Sequence, residues 1–504
     1  LASAAPLFAQ DAYPLGPDSQ VQNVPHGTVE KLVLPPGQFF PGTPHNYAVY
    51  IPANAPPGPL PYMVFLDGSS YLGNNFRTAT VLDNLIAAKA IPPMVGVFVD
   101  PGVLPAIRPD AQNRYERVFE YDSLSNRYSR FLLEELLPAV AKKHALSTNP
   151  DEHAIGGSST GAVGSFVAAW HRPDQFHRVL SLIGTYVAMK GADTLPEIVR
   201  KTEAKPIRIW MQDGANDHLT AAEPYGTFYA GTWPKANALL YDALQFQGYD
   251  AKLTIGTGGH DSKQGGAELP DALRWLWRGY SPETGVDKIV VKPPAALGEK
   301  GWDTRGSVWA TVEAIGNWEP TTNITTWDGG ISANGLHYVM TRGMISVSNI
   351  RKSEAKVGDV VAPIHTINLE TALSPDQAML VLPNAEGRHQ WSMQLQADGI
   401  PTNAEPFYRL EVLDDDGGAT GAAFDSIGQV YFATAIGIQV CEANGRVAMI
   451  LNSPVPDIPV KAVTFGGSDR DWLYVIAGGR VYRRKMKVHA VPVDKPEKPP
   501  QPPL

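Results

Sequence analysis

Two serines lie between glycines in the stretch HAIGGSSTGAVGSF, His153 to Phe166, and their spacing separates them. Gly157-Ser158-Ser159-Thr160-Gly161 fits G-x-S-x-G. Glycines at those places let a strand reverse into a helix without a Cβ clash, and the central serine is held on a strained, exposed turn. Ser158 fits no such frame, because the residue two places on is Thr160, so Ser159 is the candidate nucleophile. A serine hydroxyl needs a base, and an imidazole base needs a carboxylate to fix its tautomer. PIRIWMQDGAND offers Asp213 and Asp217 after one apolar run, and AKLTIGTGGHDSK offers His260 after the next. Asp217 is preferred as the acid because it lies beyond the run, where a loop can bend back to His260; Asp213 is the alternative. A developing oxyanion needs backbone donors. The N–H of Thr160 supplies one, and the VFLDGSSYL loop supplies the other from Gly68 or Ser69. Chance alone yields a G-x-S-x-G in about one chain in five of this composition. The weight therefore rests on the order Ser159, Asp217, His260 and on each residue's place after an apolar run.

Those runs belong to a larger alternation. From about Tyr62 to Tyr280, short β-like runs (YMVFLDG, MVGVFVD, HAIGG, RVLSLIG, PIRIWMQDG, AKLTIG) alternate with amphipathic stretches such as TATVLDNLIAAKA and PKANALLYDALQFQGY. Continuous apolar strands between helices predict a mostly parallel sheet with helices on both faces. TVEKLVL and HNYAVYIP add two β-runs before it, and DSLSNRYSRFLLEELLPAVAKKHA reads as a long helix opening at Asp122 or Ser123. Around SPETGVDKIVVKPPAALGEKG the helical periodicity stops, and the remainder is all-β in pattern. Leu380, Tyr431 and Tyr474 mark equivalent places in three similar segments, each an acidic turn followed by a strand. A period of about 40 to 50 residues with several strands per unit is a propeller-blade signature. The expected organisation is an N-terminal segment 1–20, an α/β domain 21–285, a linker 286–300, a propeller-like domain 301–490 and a disordered Pro-rich tail 491–504.

Composition narrows the partners. A net charge of −9 gives no general basic face for nucleic acid or anionic lipid. The single cysteine excludes an internal disulfide framework and a Cys-rich zinc site. No apolar run reaches the length of a membrane span. The opening LASAAPLFAQDAYPLG has the small, apolar character of a signal-peptide tail, so export to the periplasm or medium is expected.

The same residues carry a resemblance. GGSSTG, DGAND, GTGGHD and PDALRWLW, with YMVFLDGSSYL, VLDNLI, VFEYDSLSNRYSRFLLEELLP and WPKANALLYDALQFQGYD, resemble the enterochelin-esterase-like and feruloyl-esterase group of α/β-hydrolases over about residues 25 to 280. The feruloyl-esterase pattern places the acid in a G-x-N-D turn, here Gly214-Ala215-Asn216-Asp217, which agrees with the preference for Asp217. The group's second glycine after the nucleophile turn is Ala162 here, and residues 218 to 233 are longer than usual before the next helix. The second half is similar to gluconolactonase-like β-propellers over GGATGAAFDSIGQVYFATAIGIQVCEANGRV and FGGSDRDWLYVIAGGRVYRR. That family takes a metal ligand from an Asp-Gly pair; here the pair is Thr420-Gly421, and a hydroxyl is a poor substitute for a carboxylate.

The resemblance implies a serine esterase that needs no cofactor or metal and acts through an acyl-enzyme on feruloyl or acetyl esters of carbohydrate. The alternatives are a siderophore esterase, a metal-dependent lactonase working through the propeller, and a non-catalytic carbohydrate-binding protein. A small ester or esterified polysaccharide is the expected partner, and the second domain is a degenerate accessory module able to pair subunits. Tyr71, Trp233 and Glu120 are expected at the mouth of the site, with Asp122 on the same rim, although packing accounts equally well for the two aromatic residues and a charge pair with Arg117 for the acids.

Overall fold

Runs as apolar as YMVFL and VGVFV are stable only inside a sheet covered on both faces, and the computed structural model places them there. The structure describes residues 13–108, 110, 112–220, 230–290, 317–322, 336–341, 344–349, 355–361, 371–414 and 416–500. The chain divides into two units, residues 1–200 with 204–295, and residues 201–203 with 296–504. Within the expected linker, residues 291–300 lie outside the described residues, as do 1–12 of the N-terminal segment and 501–504 of the tail.

The first unit is built on one eight-stranded sheet. Its strands are β1 (Thr28–Leu34), β2 (His45–Ile51), β3 (Tyr62–Leu66), β4 (Val95–Val99), β5 (His153–Ser158), β6 (Arg178–Leu182), β7 (Arg208–Gly214) and β8 (Asp250–Gly256). Their order is β1-β2-β4-β3-β5-β6-β7-β8. The β1–β2 and β2–β4 pairings are antiparallel, and from β4 to β8 every pairing is parallel. Both faces of β3 are covered. Met63 and Phe65 join a core with α2 (Thr78–Ala87) and α6 (Ser262–Leu276), while Leu66 points to the glycines of α4 (Thr160–His171). This is the period-two alternation of a strand with two buried sides. The helix expected to open at Asp122 or Ser123 begins later, after Asn126. Its middle turn, Leu132–Leu136, is π-helical, just ahead of Pro138, whose missing N–H cannot continue an α-helical ladder.

The second unit is antiparallel throughout its described sheets. Leu336–Thr341, Met344–Asn349 and Ala355–Val361 form a three-stranded sheet. Ala372–Leu373, Met379–Leu382, His389–Leu395 and Pro401–Arg409 form one of four strands. Gly421–Phe424, Val430–Thr434, Gly437–Cys441 and Val447–Leu451 form another. Val460–Gly466, Trp472–Ala477 and Arg480–Lys485 make the last, and its fourth strand is Glu319–Thr321 from the beginning of the unit. Leu380 and Tyr431 are buried at the second strand, in chain order, of their four-stranded sheets, and Tyr474 is buried at the third strand of the last one, which also holds Glu319–Thr321. Successive sheets share apolar clusters, with Tyr338 and Ile345 against Leu380, Val381 against Val430 and Phe432, and Tyr431 against Phe465 and Leu473. The Pro-rich tail corrects one expectation: its described part, 491–500, is not free. Gln377 Nε2 donates to Val493 O at 2.8 Å, and Glu497 N donates to Pro375 O at 3.0 Å. Proline removes backbone donors but leaves carbonyls and apolar rings able to dock.

Candidate active site

The turn between β5 and α4 is as sharp as its glycines suggest. Ser159 adopts φ 59° and ψ −122°, a conformation costly for a residue with a Cβ. The turn is held by Ser159 N donating to Leu182 O at 2.9 Å and by Thr185 N donating to Ser159 O at 3.2 Å. Gly157 is required by close approach: a Cβ there would lie 2.3 Å from Gly161 O. Ser158 is turned away and shares a 3.0 Å hydrogen bond with the Tyr71 hydroxyl.

Two further strand ends bring the partners in. Asp217 follows β7 and His260 follows β8, and the two loops are tied together. Ala215 N donates to Gly256 O at 2.8 Å, Asn216 N to Gly258 O at 3.0 Å, and Asn216 Nδ2 to Thr257 O at 2.8 Å. His260 Nε2 lies 2.9 Å from Ser159 Oγ, and His260 Nδ1 lies 2.8 and 2.9 Å from the two oxygens of Asp217. Asp217 is fully buried and His260 partly exposed. With Asp217 ionised, Nδ1 carries the proton and Nε2 is left as acceptor for the Ser159 hydroxyl. Asp213, the alternative acid, lies one layer deeper. It is fully buried, and burial, followed by the neighbouring Asp217 carboxyl, pushes its own carboxyl up to about 8.

The loop after β3 reaches the same turn. Asp67 has a left-handed φ of 55° and immediately precedes Gly68, which opens the short helix α1 (Gly68–Leu72). Arg117, on α3 (Arg117–Tyr121), holds this loop. It binds Asp67 through both Nε and Nη2 at 2.8 Å, and Nη2 also reaches Ser158 O at 3.3 Å. Gly68 and Thr160 begin their helices, where N–H groups have no intrahelical acceptor. Ser69 is a correction to the expected oxyanion donors, since its N–H is already given to Asp100 Oδ1 at 2.8 Å.

The expected mouth residues are also corrected. Tyr71 is fully buried, stacked on Phe76 with centroids 4.4 Å apart, and its apolar body belongs to the core. Glu120 is buried, accepting from Gly102 N at 2.9 Å with His45 Nε2 3.0 Å away. Asp122, expected on the same rim, is buried too, and desolvation pushes its carboxyl up to about 7. Arg117 pairs with Asp67, not with Glu120. Trp233 opens α5 (Trp233–Phe246) but is buried, its ring edge-on to His260 with centroids 5.6 Å apart, so it packs the imidazole. The long segment 218–233 lies outside the described residues at 221–229.

Several neighbours were not singled out from sequence. Thr185 Oγ1 stands 3.1 Å from Ser159 Oγ. Asn237, on α5, donates from Nδ2 to Asp213 Oδ2 and to Gly184 O, both at 2.9 Å. The His218 ring lies against those of Trp233 and His260, with centroids 4.8 and 4.5 Å away. None of these residues belongs to a spacing motif, and only the three-dimensional turn brings them together. Asp217, His218 and His260 offer ligand atoms within 4.8 Å of one another. Both ring nitrogens of His260 are engaged by Asp217 and Ser159, so coordination there would break the Ser159–His260–Asp217 chain. In the second unit the Thr420 hydroxyl is turned to backbone, 3.0 Å from Lys461 O and 3.3 Å from Val460 O.

Comparison with known proteins adds relatives to this geometry. A profile of the family described as "Putative esterase" matches residues 40–276. The iron(III) enterobactin esterase of Dickeya dadantii (strain 3937) is 26% identical over 242 residues, 45% of this chain and 50% of that protein. The chain thus spans about half the length of this curated relative. Solved structures with similarity include the enterobactin esterase of Shigella flexneri crystallised with enterobactin, at 22% identity over 53% of this chain and 63% of that one, with a TM-score of 0.42. A ferulic acid esterase of Anaeromyces mucronatus is similar at 18% identity over 53% of this chain and 95% of that one, with a TM-score of 0.40.

Proposed function

We propose that the first unit, an esterase-type α/β-hydrolase domain by its family match over residues 40–276, is a serine carboxylic-ester hydrolase. The observation that carries this reading is the continuous hydrogen-bonded chain from Ser159 through His260 to Asp217. In the proposed reaction His260 Nε2 takes the Ser159 proton as Oγ attacks the acyl carbon. The imidazolium then gives that proton to the leaving alkoxide or phenolate. Water, deprotonated by the same nitrogen, releases the acid and restores the serine. Asp217 holds the imidazole with Nδ1 protonated and stabilises its charged form. The Thr160 and Gly68 amides are the proposed donors to the tetrahedral oxyanion. Arg117 supports them by tying Asp67, next to Gly68, to the Ser158 carbonyl.

The proposed substrate is a feruloyl or acetyl ester on carbohydrate. A second reading, a siderophore ester, is favoured by the 26% identity to an enterobactin esterase. Methyl ferulate, acetylated xylan and a siderophore lactone, offered to the wild type and to Ser159→Ala, separate the two. Ser159→Ala is expected to lower turnover of p-nitrophenyl acetate by about 10³-fold or more. Undiminished turnover would remove the assignment.

The second unit is proposed as a degenerate, propeller-like accessory module. Supporting this are its succession of antiparallel sheets and the early strand Glu319–Thr321 that completes the last of them. Pairing of subunits through this unit is tested by sedimentation of the whole chain, and export by fractionating cells that express it.

A further inference from the structure

The Ser159–His260–Asp217 chain does not end at Asp217. Behind it lies Asp213, as wholly buried as Asp217 and next to it. Two ionised carboxylates buried side by side repel each other and are acceptors only, so burial of both favours a proton on one. The surroundings decide which. Asp213 Oδ1 accepts from Gly214 N at 2.8 Å, and Oδ2 accepts from Asn237 Nδ2 at 2.9 Å. These are two neutral donors and no cation. Asp217 faces the His260 imidazole, whose charged form it must balance. Among the described residues the titratable groups facing Asp213 are Asp217 and His260, and His218 stands beyond, with Nε2 4.0 Å from Asp217 Oδ1. From α5 it meets the neutral Asn237, and from α6 the neutral Gln264, whose Nε2 approaches Asp213 O at 3.4 Å.

We propose that Asp213 and Asp217 form a carboxyl pair holding one proton, and that Asp213, carrying it, is a positioning residue that aims Asp217 at His260. The proton stays on Asp213 throughout turnover, and no bond to it is made or broken. By donating to Asp217, Asp213 lowers that carboxylate's basicity. Asp217 then accepts from Nδ1–H without taking its proton, and its plane is fixed from behind as well as in front. The raised affinity of Asp213 for its proton, to about 8, is in keeping with this arrangement.

The inference rests on the esterase reading for its kinetic arm only, so two measurements are combined. Asp213→Asn keeps a donor of the same shape and cannot ionise. It is expected to retain more kcat than Asp213→Ala at neutral pH and to lose the alkaline fall in kcat expected of the wild type as pH rises through about 8. Asp213→Ala removes the donor and is expected to lower kcat about tenfold or more at little-changed KM. An alkaline limb that persists in Asp213→Asn, or a wild-type kcat in Asp213→Ala, overturns the proposal.

The second measurement needs no turnover. A carboxyl that ionises at 3.8 in an unfolded chain and near 8 in the folded one makes the folded state bind more protons between those values, so stability falls as pH rises between them. The melting temperature of Asp213→Asn should therefore gain steadily on the wild type from pH 5 to pH 8. Parallel melting curves across that range would sink the carboxyl pair whatever the esterase activity proves to be. Activity surviving in Ser159→Ala would overturn the proposed function and leave the melting comparison decisive.

Discussion

A serine hydroxyl is a weak nucleophile until something takes its proton and something else steadies the oxygen left behind. In the proposed reaction His260, 2.9 Å away, meets the first need, and Thr185 is placed for the second. Its Oγ1 is 3.1 Å from Ser159 Oγ, and the residue is almost fully buried. As the serine proton leaves, the threonine hydroxyl can donate to the oxygen that gains charge. Thr185→Val keeps the shape and deletes that donor. It is expected to lower kcat about tenfold, about 1.4 kcal/mol of barrier, with KM little changed. Steady-state kinetics on p-nitrophenyl acetate check it, and an unchanged kcat would leave the hydroxyl a packing role. Sequence spacing pointed to Ser159, Asp217 and His260 because each is the polar residue at the end of an apolar run. It could not point to Thr185 or Asn237, which come from separate elements and fit no motif frame. Tyr71 and Trp233 were misplaced for a physical reason. A large aromatic residue beside a catalytic turn is as well used bracing the turn from within as contacting a ligand, and both are buried.

At the scale of elements, the site is an agreement among three strand ends. β5 leads to Ser159, the proposed nucleophile, β7 to Asp217 and β8 to His260, all at carboxyl ends of parallel strands. The alternation of apolar runs and helices made this sheet legible, because burial on both faces leaves no freedom in composition. The loops were less legible, as their register depends on close backbone approach. Gly214 shows this: a Cβ there would lie 2.1 Å from Gly258 O, in the loop that carries His260. Gly214→Ala must push the Asp217 and His260 loops apart. The expected cost is about 1–3 kcal/mol of stability together with a loss of kcat exceeding that of Thr185→Val. Thermal melts and kinetics on the same preparation check both. The late start of the helix after Asn126 reflects a similar limit. Asp122 and Ser123 are good caps by residue type, but Asp122 is committed to a buried position behind Arg117.

For the whole molecule, the two units make opposite demands on a metal. A serine mechanism in the first unit needs none, whereas catalysis by a lactonase-type second unit would depend on one. With the Thr420 hydroxyl bonded to backbone carbonyls, the second unit has a neutral group where the lactonase pattern calls for an acidic one. Ester hydrolysis by the full chain is therefore expected to be unchanged by prolonged chelation with EDTA. Activity lost on chelation and restored by a divalent cation would transfer catalysis to the second unit. Cys441 offers no redox handle on either process, because it is fully buried and desolvation pushes its thiol pKa up.

The pairing of Glu319–Thr321 with Arg480–Lys485 also governs the order of assembly. Glu319 and Arg483 are partners 164 positions apart, so this pairing of the first described strand of the unit cannot form until the last described strand has left the ribosome. Neighbouring strands within each sheet can zip locally as they are made, but this closure is non-local and pays its loop entropy at the end. A chain stopped before Arg480 would take this partner from Glu319–Thr321 and bare the edge of Trp472–Ala477, an invitation to pair with another molecule. Truncation at the carboxyl end is thus expected to lower solubility through the second unit's own sheet edges.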